Sequence, residues 1–171
     1  MGSLKKEVIV IIIAAILVTL LFAITIEPPA PKDFVSDRVI LNYSNAFFNY
    51  KVIRYPTDVS IVPSQEENFD IGFVTDPWNL RFGVAPGNGS YIKRYINIKN
   101  LNEGYNKISL KTYGNITPLV NFSKNNFVLD ENESTVVEVG LYTESAKVGN
   151  YTGEIDVVIK RPKYDFLKAL T

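Results

Sequence analysis

The stretch YIKRYINIKN, Tyr91 to Asn100, decides the fold. Ile92, Ile96 and Ile98 fall on one side of an extended chain, and Tyr91, Lys93, Tyr95, Asn97 and Lys99 fall on the other, with Arg94 the single exception on the apolar side. A period of two marks a strand that buries one face and wets the other. Working outward, Asn106–Tyr113 repeats the scheme with Ile108 and Leu110 inward, and Val137, Val139 and Leu141 alternate with Glu138 and Gly140. Tyr151–Lys160 places Tyr151, Ile155, Val157 and Ile159 on one face before Pro162 ends it. Upstream, Phe69, Ile71 and Phe73 alternate with polar or small residues, as do Leu80, Phe82 and Val84. The segments Ala85–Ser90 and Ser123–Asn126 carry turn chemistry, the latter between the short apolar pieces Val120–Phe122 and Phe127–Leu129. Arg38–Tyr43, Tyr50–Tyr55 and Asp58–Val62 read as three further strands, parted at Ser44-Asn45 and at Pro56-Thr57-Asp58, and are expected to add strands or an edge hairpin. Roughly seven to ten short strands with regular turns predict an all-β domain, an antiparallel β-sandwich over residues 34–162.

Ahead of it lies VIVIIIAAILVTLLFAITI, Val8 to Ile26, with no charged residue. As a helix it is about 28 Å long, the thickness of a bilayer's hydrocarbon core. The sequence therefore predicts one transmembrane α-helix over 8–26. A cleaved secretory signal fits less well, because the apolar run is long and no Ala-x-Ala site follows it. Lys5 and Lys6 precede the run whereas Glu27, Lys32 and Asp33 follow it, so residues 1–7 form a cytoplasmic tail and the bulk of the chain lies outside the cell membrane. Residues 27–33, with Pro28, Pro29 and Pro31, read as a stiff spacer, and 163–171 as a tail whose Phe166, Leu167 and Leu170 fall within two helical turns, a short helix that folds back on the domain or a docking segment for a partner.

Composition narrows the chemistry. The 171 residues include 18 Lys or Arg, 18 Asp or Glu, and neither Cys nor His. Balanced charge gives no signal for nucleic acid. The missing residue types exclude disulfides, Ser-His-Asp or Cys-His nucleophile systems, and thiolate or imidazole zinc sites. No catalytic, cofactor-binding or metal residue is assigned. The acidic clusters Asp130, Glu131, Glu133 and Glu66, Glu67, Asp70 lack calcium-loop spacing and read as solvated turns.

The succession LRFGVAPG at Leu80–Gly87, the basic-apolar strand ending at Asn100, and GNYTG at Gly149–Gly153 resembles immunoglobulin-like β-sandwich modules of prokaryotic, above all archaeal, membrane-anchored surface proteins. The resemblance covers residues 68–162. It implies an immunoglobulin-like fold and a role at the cell surface; its motifs are turn and core signals, which speak to fold more than to function.

Six Asn-x-Ser/Thr sites occur, at Asn42, Asn88, Asn115, Asn121, Asn132 and Asn150, where chance would give about two. They mark glycosylation candidates on a domain outside the cytoplasm. Tyr91, Lys93, Tyr95 and Lys99 form a candidate binding face for a sugar or a protein. These readings converge on a non-enzymatic, single-pass glycoprotein whose partners are the membrane and another envelope or surface-layer protein or glycan. A pilin-like or archaellum-stator-like assembly subunit is the alternative, since Gly2 precedes Glu7 as in pilin leaders, although Lys5 and Lys6 depart from that pattern. A membrane-tethered hydrolase would require two facing carboxylates in a cleft.

Overall fold

A computed structural model describes residues 7–15, 18–19, 26–64, 79–87 and 89–170. The chain is mostly antiparallel β-sheet. Its strands are β1 (Val39–Ser44), β2 (Phe48–Val62), β3 (Gly83–Pro86), β4 (Tyr91–Lys99), β5 (Asn106–Gly114), β6 (Val120–Phe122), β7 (Phe127–Leu129), β8 (Ser134–Tyr142) and β9 (Gly149–Pro162). The larger sheet runs β1-β2-β9-β5-β7, with β3 joined to β2, and the smaller runs β4-β8-β6. Ile155 and Val157 of the larger sheet share one core with Ile96, Val137, Val139 and Leu141 of the smaller, so the two sheets pack face to face. The alternations around Tyr91–Lys99, Asn106–Tyr113 and Val137–Leu141 are realised as expected. Arg94 reaches out of the apolar face by donating from Nε to the Arg81 carbonyl at 3.0 Å.

Three expectations change. Tyr50–Tyr55 and Asp58–Val62 are one strand of 15 residues that runs straight through Pro56. Proline is tolerated there because its missing N–H points away from β9: the Pro56 carbonyl, on the same strand edge as its nitrogen, accepts from Leu80 N at 3.1 Å, in the gap between the end of β1 and the start of β3. Nor is β2 an edge. It lies between β1 and β9 and contributes Tyr55, Val59 and Ile61 to the main core, so residues 68–162 do not hold that core by themselves. Finally, Val84 points outward, half exposed, while Ala85 is buried behind Leu80 and Phe82; Gly83, at φ +76°, shifts the alternation by one residue. The strand expected over Phe69–Phe73 and the acids Glu66, Glu67 and Asp70 lie outside the described residues.

The larger sheet is covered over part of each face. On the side away from the main core, Phe48, Tyr50, Val52 and Val158 form a second apolar cluster closed by Leu167, from the 3₁₀ helix Asp165–Leu170. The C-terminal segment thus folds back, as a 3₁₀ turn with Leu167 inward and Phe166 72% exposed. The Pro-rich segment runs against the same face instead of standing off it: the Ile26 carbonyl accepts from Tyr50 OH at 3.0 Å, the Pro29 carbonyl from Arg54 Nη2 at 3.0 Å, and Glu27 pairs with Lys111.

Among the described residues no helix is long and apolar enough to cross a membrane. Residues 7–15 and 18–19 are helical, and the rest of the expected span up to Thr25 lies outside the described residues.

Leu141, fully buried between the sheets, tests this packing against Val136, 56% exposed on the outer face. Leu141→Ala should cost about 2–5 kcal/mol of unfolding free energy and Val136→Ala less than about 0.5. Denaturant midpoints measured at unchanged m-value check both.

Candidate functional site

The outer face of β4-β8-β6 gathers an ordered cluster around a glycine. Cross-strand register sets Tyr91 opposite Tyr142, Lys93 opposite Gly140 and Tyr95 opposite Glu138. The Tyr91 and Tyr142 rings stack at 4.2 Å and 21°. Tyr91 then lies across Gly140, where a Cβ would meet the ring at 2.4 Å, and its hydroxyl donates to Glu138 Oε1. Lys93 Nζ pairs with Glu138 Oε2 at 3.0 Å and stands 4.9 Å from the centre of the Tyr91 ring. Tyr95, 62% exposed, extends the aromatic surface.

Electrostatics ties these side chains together. The hydrogen bond from Tyr91, followed by that from Lys93, holds the Glu138 carboxyl below the usual carboxylate range. Reciprocally, the Glu138 carboxylate raises the Tyr91 hydroxyl and the Lys93 ammonium above their ordinary values. The result is a shallow platform of aromatic faces with a fixed carboxylate–ammonium pair, suited to the apolar faces and hydroxyl edges of a sugar or to a polar protein surface.

Tyr91, Lys93 and Tyr95 come together as the alternation of β4 requires. Lys99 does not join them: it stands opposite Ser134, four residues beyond Tyr95 and about 13 Å away along the strand. The participation of Glu138, Gly140 and Tyr142 escapes a reading of β4 alone, because it depends on which strand lies beside it. Their signal was the outward set Glu138, Gly140 and Tyr142 on the alternating segment around Val137–Leu141.

Five of the six glycosylation candidates are described, and all five are exposed; Asn88 lies outside the described residues. Asn121 is on the platform's own face, opposite Gly140. Its Oδ1 accepts from Phe122 N at 2.8 Å. Asn115 is engaged differently, accepting from Thr152 N at 2.6 Å and donating to the Asn150 carbonyl at 3.4 Å, while Asn150 Oδ1 accepts from Ser60 Oγ at 2.7 Å. Asn132 sits at φ +61° in the β7–β8 turn, where Glu133 Oε2 accepts from Asp130 N at 2.9 Å. That turn's carboxylate is thus part of its own backbone hydrogen bonding. Among the described residues no group of three Asp or Glu is placed to hold a metal ion.

A second ionisable cluster was not visible in the sequence. Arg54 Nε lies 3.3 Å from both Glu154 Oε1 and Asp156 Oδ2, and all three residues are buried. Glu154 Oε2 accepts from Val35 N at 3.0 Å. Burial, and then the neighbouring Glu154 carboxyl, push Asp156 up to about 7 against the opposing pull of Arg54. Both acids are buried, and the hydrogen bonds of Arg54 to the Pro29 carbonyl and of Val35 N to Glu154 anchor the segment that crosses the sheet.

No family model, no curated protein and no solved structure matches the chain.

Two measurements follow from these electrostatics. In Tyr91→Phe, Glu138 loses its first hydrogen-bond donor, so its carboxyl titration, followed by side-chain NMR, should move upward toward the ordinary range. For Asp156 the folded state binds its proton more tightly than the unfolded chain does. This contribution to stability is present below about pH 4 and is lost as the pH rises to about 7. Relative to Asp156→Asn, the wild type should therefore lose stability across that window, by at most about 1.4 kcal/mol per pH unit for one proton. Parallel curves for the two proteins would exclude this titration.

Proposed function

We propose that the chain is a single-pass, membrane-anchored surface protein whose β domain binds or braces another component of the cell envelope through the outer face of β4-β8-β6. One observation carries the reading: the charge-free run Val8–Ile26, in whose described helical residues the side chains of Val8–Ile13 and Val18 are about half or more exposed. A helix that is apolar all round and unburied by the domain needs an apolar surrounding, and a bilayer supplies one. Lys5 and Lys6 favour a cytoplasmic amino terminus, which places the tyrosine platform and the exposed sequons on the outer side. Two packed antiparallel sheets and the motifs at Leu80–Gly87 and Gly149–Gly153 support an immunoglobulin-like module of the kind found on archaeal surfaces. An aromatic platform carrying a fixed carboxylate–ammonium pair supports adhesion.

Intact and peptide mass spectrometry of the protein taken from its native membrane tests this. An amino terminus that is uncleaved or trimmed only of Met1, with glycan at the exposed sequons Asn121 or Asn150, is the expected result. Cleavage after Gly2 would replace the surface anchor with a filament subunit. A chain recovered in the soluble fraction without modification would overturn the proposal.

A further inference from the structure

The two sheets are unequal, and the larger one overhangs the smaller. On the inner face of the overhang the apolar pattern stops. Ile53 and Ile159 still pack on the main core, but the next residues outward are Lys51 and Asn49 on β2 and Arg161 on β9. Register puts Asn49 directly opposite Arg161, and Asn42 of β1 directly opposite Lys51. The end of β4 with Lys99 forms the other wall, and Ile98, Ile108 and Leu129 lie at the base. Together they enclose an open groove of about 560 Å³, within the range of small-ligand sites.

The groove's chemistry is one-sided. Lys51, Lys99 and Arg161 line it, no Asp or Glu does, and none of the three cations is in an ion pair among the described residues. Asn42, Asn49 and Asn102 line it as well, Asn49 Oδ1 accepting from Ser44 Oγ at 2.9 Å. Asn106, 2% exposed, also borders the groove. Its Nδ2 donates to Asn100 Oδ1 at 2.5 Å, which fixes the amide, and its buried Oδ1 has no hydrogen-bond partner among the described residues. An unmatched buried acceptor is costly unless a ligand donates to it.

We infer that this groove is a binding site for an acidic glycan, an oligosaccharide bearing carboxylates. Lys and Arg match the carboxylates, and amides, each both donor and acceptor, match vicinal hydroxyls, which need both. The apolar base receives the sugar's C–H face. An acidic peptide is the rival occupant, since β1 and β4, each an edge strand of its sheet, border the groove; the asparagines among the cations favour a hydroxyl-bearing ligand over it. The site is separate from the tyrosine platform and does not depend on the membrane assignment.

The test uses the full chain in detergent micelles, produced in a host that leaves Asn42 unmodified, and isothermal titration with oligogalacturonate, its methyl ester, and oligoglutamate of equal charge. Oligogalacturonate should bind, with affinity falling as salt rises, and the methyl ester should bind at least tenfold more weakly. Lys51→Gln, and Lys51→Gln with Arg161→Gln, should weaken binding by at least tenfold, whereas Lys124→Gln, in the β6–β7 turn, should not. Circular dichroism confirms that each variant is folded, and the single exposed Lys51 substitution stands if the double variant is not. Absence of binding, binding equal in wild type and Lys51→Gln, or oligoglutamate binding as tightly as the glycan would each overturn the inference, the last in favour of an acidic peptide.

Discussion

Fourteen consecutive residue pairs between β2 and β9, from Phe48 opposite Pro162 to Ile61 opposite Gly149, join an early strand to the last one. The rest of the domain depends on this ladder. It brings together segments about a hundred residues apart, a loop closure whose entropy must be met by the contacts it allows. Those contacts lie on both faces. Tyr55, Val59 and Ile61 with Ile155 and Val157 look into the space between the sheets, whereas Phe48, Tyr50 and Val52 with Val158 look the other way and are closed over by Leu167.

Burial on both faces explains the position of Arg54, Glu154 and Asp156. On a half-exposed strand they would be ordinary surface charges. Here the alternating positions on the second face are covered by residues 26–35, so three ionisable groups share a buried site, held by ion pairing with one another and by hydrogen bonds to the backbone at Pro29 and Val35, while Arg54 Nε, Glu154 Oε1 and Asp156 Oδ1 make no hydrogen bond among the described residues. Such a cluster contributes little net stability compared with an apolar substitute, but removing one member leaves its partners uncompensated. It therefore specifies where the segment leading into the domain must lie.

Among the described residues nothing covers the outer face of the smaller sheet, and that difference assigns the roles of the surface. With three strands among those residues, it leaves part of the larger sheet's inner face uncovered, where Lys51 and Arg161 continue a pattern that Ile53 and Ile159 began. On its own exposed face, Gly140 leaves a gap that the Tyr91 ring fills, and this single missing side chain orients Tyr91 toward Glu138 and Tyr142. Both features arise from an absent covering, of a strand in one case and of a Cβ in the other.

The sequence by itself determined the local properties: the apolar run Val8–Ile26, the strand alternation around Ile96, Ile108, Val139 and Ile155, the exclusion of histidine and cysteine chemistry, and the outward direction of Tyr91, Lys93 and Tyr95. Each follows from the identity and spacing of neighbouring residues, which a period of two converts into two faces. Only the tertiary structure decided what lies against each face. That Pro56 is continuous with its strand, that Val84 faces out beyond Gly83, that Lys99 parts from the tyrosines to line a groove, and that Glu154 and Asp156 are buried all depend on partners far away in the chain. Alternation states that a strand has two sides; it is the pairing of distant segments, bringing β2 beside β9 and residues 26–35 across them, that determines which side meets water.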